Sequence, residues 1–211
     1  MTEVTMKLII ENLHKEQKLE CDGRHNALYV SSGRLSVAGK SIAAGEGIYV
    51  GEYTDNPVNL QEESNIVRFV VDQDPKAGRP TADGQIVLES RFELAPGDQF
   101  LRLDQIDFPP GACAYRHVHP GAGIRFLTQG VLDIESDHGV EQMSIGSAWF
   151  EDTNAPVRAT ASQSQATAFV RAMVLPIEYL GKRTITYLDP SDDDKPRMQT
   201  NSRFFDQPVE F

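Results

Sequence analysis

Residues 109–134, PPGACAYRHVHPGAGIRFLTQGVLDI, decide the fold class of this chain. His117 and His119 stand two residues apart. Side chains of a strand alternate between its faces, so both rings leave on one side. Two imidazoles on one face can chelate a divalent ion, or one can transfer protons while the other orients it. Gly111 lies six residues before His117, and Gly130 lies eleven after His119, ahead of the strand Val131-Leu132-Asp133-Ile134.

Working outward, the chain repeats itself weakly. Ala27–Val37 contains the turn glycine Gly33, and it is followed by Ala44–Val50 and then by Asp55-Asn56-Pro57-Val58. Ile124–Ile134 contains Gly130, and it is followed by Ile145–Glu151 and then by Asn154-Ala155-Pro156-Val157. An apolar strand closes each copy, Ile66–Val71 in the first and Ala168–Leu175 in the second. Short alternating runs between Gly, Asp and Asn turns predict an all-β fold of two tandem jelly-roll barrels. The expected division is a degenerate first unit over 1–75, a Gly/Pro-rich linker over 76–85, a second barrel over 86–190 and a docking tail over 191–211. Gln85–Leu88 and Phe100–Asp107 are expected to lead into the second barrel. A short helical piece is expected over Ile177–Gly181.

The stretch from Gly111 to Gly130 resembles the first motif of the cupin superfamily, whose pattern is a glycine, HxH, a glutamate four residues after the second histidine, and a further glycine. Both histidines and both glycines match. Gly123 stands where the family has its glutamate. In the second motif, over Gly146–Val157, Val157 stands where the family has its last histidine. The resemblance implies double-stranded β-helix barrels, here a bicupin, acting on small molecules in the barrel interior. It implies dioxygenase, isomerase, epimerase, lyase or decarboxylase chemistry, mostly metal-assisted. It also covers non-catalytic storage, ligand-binding and sensor barrels, and fold alone does not choose among them. Such barrels often pair by their sheet edges, so a homodimer is expected.

Composition narrows the partners. The chain has 211 residues, 40% of them apolar and 24% charged, with a net charge of −11. That balance argues against nucleic acid and anionic membranes, which call for basic patches. No apolar run reaches the length of a membrane span and no signal peptide is evident, so a cytoplasmic location is expected. Cys21 and Cys113 are expected to be free thiols.

The candidate site follows from strand parity. With His117 and His119 pointing inward, Tyr115 and Cys113 are expected on the same face. On the family analogy position 123 points inward, so Arg125 and Leu127 do too. The chain has dropped an inward carboxylate and gained an inward guanidinium. Arginine cannot ligate a metal or lose its charge, so Arg125 needs an anionic partner: Glu151, or a bound carboxylate or phosphate. Glu151 has three readings: third ligand beside His117 and His119, acid or base, or solvent-facing strand residue. Its near equivalent Glu52 has no histidine pair beside it, which adds weight to a structural role. Tyr115 is a candidate hydrogen-bond donor in the cavity, and Trp149 and Phe126 are candidate walls for a substrate. The expected cofactor is a divalent metal (Fe, Mn, Ni or Zn) and the expected ligand a small organic anion. His25 is expected to be structural and His138 exposed.

Overall fold

The computed structural model describes residues 2–15, 17–51 and 58–211. Glu52 and the turn Asp55-Asn56-Pro57 of the repeat lie outside them. The chain divides into two units: the chain up to Leu94 together with Val209–Phe211, and Ala95–Pro208. No helix among the described residues is long and apolar enough to cross a membrane.

The first unit is built of β1 (Glu3–Leu13), β2 (Lys18–Leu19), β3 (His25–Ser32), β4 (Arg34–Val37), β5 (Lys40–Ala43), β6 (Gly47–Gly51), β7 (Val58–Leu60), β8 (Ser64–Asp72) and β9 (Gln85–Glu93). The second has β10 (Gln99–Phe108), β11 (Cys113–Val118), β12 (Gly123–Gln129), β13 (Val131–Ser136), β14 (Gly139–Ser144), β15 (Ala148–Glu151), β16 (Val157–Ala161), β17 (Thr167–Pro176), β18 (Thr186–Tyr187) and β19 (Thr200–Val209). A short 3-10 turn over Ile177–Tyr179 answers the expected helical piece.

Each unit is a pair of antiparallel sheets. In the first unit a five-stranded sheet β6-β3-β8-β1-β9 is paired with a four-stranded one, β2-β7-β4-β5, and in the second the five-stranded β15-β12-β17-β10-β19 is paired with the five-stranded β14-β13-β16-β11-β18. Strand for strand β6-β3-β8-β1-β9 and β15-β12-β17-β10-β19 have the same order, so the weak sequence repeat is a repeated jelly roll. Central strands read as near-continuous apolar runs. β17, TAFVRAMVLP, is buried along its whole length, as a strand covered on both faces requires. Gly130 turns β12 into β13 at a φ of 77°, and a Cβ there would meet the Ala166 carbonyl oxygen at 2.4 Å. That turn takes glycine for its backbone shape and for lack of room.

Two expected boundaries are corrected. The segment 76–85 is no linker between barrels but lies inside the first unit. Lys7 Nζ donates to the carbonyls of Pro75 at 2.7 Å and Ala77 at 2.6 Å, and Glu11 accepts from the backbone and hydroxyl of Thr81. The strand expected to open the second barrel, β9, instead pairs with β1 along Glu3↔Glu93 to Ile10↔Gln85. Within the expected docking tail, Thr200–Val209 form β19, the edge strand beside β10, where Asp206 takes Arg102 in a two-pronged ion pair at 2.7 and 2.8 Å.

Candidate functional site

The second unit encloses a cavity of about 320 Å³. Its polar side is laid down by strand register. Across the β15-β12-β17-β10-β19 sheet, Trp149 lies opposite Arg125, Arg125 opposite Arg171, and Arg171 opposite Asp104. These four form one transverse row on the cavity face. The next row is Glu151, Gly123, Met173 and Arg102. His117 and His119, from β11 and the residue after it, complete the site.

Two arginines directly opposite each other on neighbouring strands repel, and this pair is buried, Arg125 fully and Arg171 at 8% exposure. Carboxylates hold each from its far side. Arg171 Nε and Nη2 donate to Asp104 at 2.7 and 3.1 Å, and Asn201 Nδ2 donates to the same carboxylate at 2.6 Å. Arg125 Nη2 lies 2.7 Å from Glu151 Oε2, and Arg125 Nη1 donates to the Gly123 carbonyl at 2.5 Å. The other oxygen of Glu151 accepts from the Trp149 indole N–H at 2.9 Å. Burial pushes the Arg125 guanidinium down to about 10, with the Glu151 charge pulling it back up, so it stays a cation at neutral pH. Arg125 Nη2 keeps a buried N–H without an acceptor, because Glu151 lies off its N–H directions.

Both histidines are held by backbone carbonyls. His117 Nδ1 donates to Tyr115 O at 2.6 Å, and His119 Nδ1 donates to Thr184 O at 2.9 Å. A carbonyl can only accept, so in each neutral ring Nδ1 carries the proton and Nε2 the lone pair. The lone pair of His119 accepts from Arg171 Nη1 at 3.3 Å. Burial, then the Arg171 charge, pushes the His119 pKa well below 6.5, and burial lowers that of His117 too.

A neutral buried histidine has a consequence for stability. Above pH 6.5 His119 is uncharged in both folded and unfolded chains and contributes nothing. Below it the unfolded chain takes up a proton that the folded chain refuses, so stability falls as pH drops. The expected slope is about 1.4 kcal/mol per pH unit from His119 alone, starting near pH 6.5. Urea unfolding at pH 7.5, 6.5 and 5.5 on the wild type and a His119→Gln variant checks it, since the variant should lose that part of the slope.

The expected metal set does not assemble. Glu151 is committed to Arg125 and Trp149, the lone pair of His119 meets a guanidinium, and any cation beside His117 would face two buried arginines. Among the described residues no three His, Cys, Asp or Glu side chains are grouped to hold an ion. The residues present do not fit the divalent metal that the family resemblance implies.

Two candidate side chains fall elsewhere. Sequence parity puts Tyr115 beside the histidines, but β11 carries a bulge between Ala114 and His117. The bulge inverts the parity, so Ala114 and His117 line the cavity while Tyr115 packs edge-on against Tyr187 with Lys195 over its ring. Phe126 is not among the cavity-lining residues, since it alternates with Arg125 and leaves the other face of β12. Arg125, Trp149, Glu151, His117 and His119 all line the cavity. His25 is buried between Tyr49 and the Glu210 carbonyl, His138 is exposed, and both thiols are free.

The first unit carries a different row. Counted from the matching turn glycines Gly33 and Gly130, the row equivalent to Trp149, Arg125, Arg171 and Asp104 is Ile48, Leu28, Arg68 and Ile9. Arg68 keeps the place of Arg171 and is paired with Glu11, while aliphatic residues replace Trp149, Arg125 and Asp104.

No family model matches the sequence, and no curated protein matches it. Solved structures do. AerE from Microcystis aeruginosa is 13% identical with a TM-score of 0.56, the match covering 83% of this chain and 88% of that one. A point mutant of salicylate 1,2-dioxygenase from Pseudoaminobacter salicylatoxidans is 11% identical with a TM-score of 0.54, covering 80% and 71%. A cupin 2 conserved barrel domain protein from Leptotrichia buccalis is 15% identical with a TM-score of 0.49, covering 82% and 85%. Identities this low speak to architecture alone. With the repeated jelly roll, the likenesses to AerE and salicylate 1,2-dioxygenase show the fold of this chain, two cupin-type jelly-roll units in tandem.

Proposed function

We propose that the second unit takes up a small organic anion and moves a proton on it without a metal, as an isomerase or lyase would. The observation that carries this is the pair of buried, directly opposed guanidinium groups under an apolar-walled cavity. A carboxylate placed against them relieves their repulsion and takes the unbonded N–H of Arg125. His117 is the base. Its Nε2 lone pair is free, its tautomer is set by Tyr115 O, and its lowered pKa keeps it neutral at pH 7. It removes a proton from the carbon next to the carboxylate. The charge that moves onto the carboxylate oxygens meets Arg125 and Arg171 already in place. The proton then returns to the far carbon of an adjoining C=C bond as that double bond shifts toward the carboxylate, or a leaving group departs with its electron pair from the next carbon as a C=C bond forms. Glu151 is a positioning residue for Arg125 and Trp149. That commitment is also what favours the other reading, a binding barrel without turnover, because it leaves no uncommitted carboxylate among the cavity-lining residues beside His117.

The test combines three readouts on protein purified without a chelator. Metal content is expected below about 0.1 equivalent, as for a site short of three ligands. Benzoate, as a monocarboxylate probe, is expected to raise the melting temperature of the wild type and not of a folded Arg125→Met variant. Proton NMR in D₂O is expected to show exchange of the hydrogen next to the carboxylate in a panel of 2-substituted acids, lost in His117→Asn. Binding without exchange moves the protein to the binding reading, and no carboxylate binding overturns both.

A further inference from the structure

The cavity has a second cationic pole. Arg183 and Arg197 line the same space, and both lie over the ring of buried Tyr187, at 5.3 and 5.6 Å from its centre. Unlike Arg125 and Arg171 they are solvent-exposed residues, so they mark the outer end of the cavity and the buried pair its inner end. The carboxylate balance differs between the ends. Inside, Glu151 and Asp104 match Arg125 and Arg171 one for one. At the mouth Arg197 pairs with Asp193, while Arg183 rests on an aromatic face. The rest of the lining includes apolar walls: Ile106, Phe108, Ile134, Trp149 and Phe169. The Trp149 N–H is already bonded to Glu151, so that ring offers a ligand only its surface. All this lies inside a chain of net charge −11, which keeps anions away from the rest of the surface.

We propose that the ligand is a dianion with an apolar middle, a dicarboxylate held at one end by Arg125 and Arg171 and at the other by Arg183 and Arg197. This rests on the reading of the site as a carboxylate-binding cavity and deepens it. An inner carboxylate meets the one buried N–H donor of the site that lacks an acceptor, Arg125 Nη2. An outer carboxylate is bound in a wetter setting, where guanidinium pairing is weaker and salt-dependent. The flat Trp149 and Phe169 surfaces suit a planar or short aliphatic spacer. A cavity of about 320 Å³ admits one small molecule of that kind and little more.

The experiment is calorimetric titration with three probes that differ at one end: benzoate, terephthalate, and the monomethyl ester of terephthalate. Terephthalate is expected to bind at least about tenfold more tightly than benzoate or the ester, as one added charge-assisted contact predicts. That advantage is expected to shrink in 0.5 M salt. The double variant Arg183→Gln/Arg197→Gln changes exposed side chains only and is expected to abolish the difference between diacid and ester. Equal affinity for all three probes in the wild type overturns the two-pole assignment and leaves the carboxylate site standing. A tenfold preference that survives the double variant overturns the role given to Arg183 and Arg197. Absence of binding by every probe overturns the site itself and this inference with it.

Discussion

Replacing Asp104 by alanine is expected to lower the unfolding free energy of the second unit by about 3–5 kcal/mol. Asp104 is fully buried and accepts three hydrogen bonds, two from Arg171 and one from Asn201. Its removal leaves a guanidinium that cannot give up its proton. That cation would then face Arg125 directly across the strand pair, with no carboxylate on its other side. The penalty comes from an uncompensated buried charge and not from the lost attraction alone. The double variant Asp104→Ala/Arg171→Met should therefore recover most of the loss. Trp149 is the chain's single tryptophan and lies in this row, so its fluorescence during urea unfolding reports the second unit. A loss below about 1 kcal/mol would mean the pair behaves as an exposed salt bridge does, and the account of the row would be wrong.

The second large effect concerns Gly123, where the resembled motif has a glutamate. Rebuilding that carboxylate is expected to break the barrel, not to restore a metal site. A Cβ at Gly123 would lie 2.2 Å from the Ala172 carbonyl oxygen and 2.9 Å from Met173 Cα. Both belong to β17, the central strand that pairs with β12 at this point. Side-chain rotation cannot relieve a clash with backbone, so β12 and β17 would have to part in the middle of the sheet. The expected cost of Gly123→Glu is about 3 kcal/mol or more, and Gly123→Ala should already destabilise measurably. Tryptophan-monitored unfolding and zinc titration check both halves of the claim. A Gly123→Glu protein with wild-type stability and about one equivalent of tightly held zinc would sink it.

The fold is legible in the sequence because jelly rolls announce themselves locally. Turn glycines such as Gly33 and Gly130 and the period-two alternation of β12 and β13 survive in both copies. Arg125 is found by counting in twos from a motif position, which works because β12 is regular from Gly123 to Leu127. The same counting fails in β11, where one bulge between Ala114 and His117 puts Tyr115 on the other face. The boundary at 76–85 misleads because its Gly, Pro and charge look like a linker. Only the long-range bonds from Lys7 and Glu11 show that it is pinned to the first unit. Arg171 does leave a signal in the sequence, as the single charge inside an otherwise apolar strand, TAFVRAMVLP, whereas Asp104 shares QFLRLDQIDF with Arg102 and Asp107 and does not stand out. A lone ionised residue in a doubly covered strand needs a partner of opposite sign.

The row of Trp149, Arg125, Arg171 and Asp104 also bears on how the chain finds its correct pairing. A strand that slips by one residue against its neighbour turns every side chain to the other face. An all-aliphatic sheet buried on both sides would tolerate that error, since either face presents hydrocarbon. Here a slip of β12 carries Arg125 away from Glu151, and a slip of β17 carries Arg171 away from Asp104. Each mispaired arrangement strands an ion in hydrocarbon. The same charges thus act during folding as a proofreading device for strand alignment, and an apolar redesign of the row should refold with more than one register.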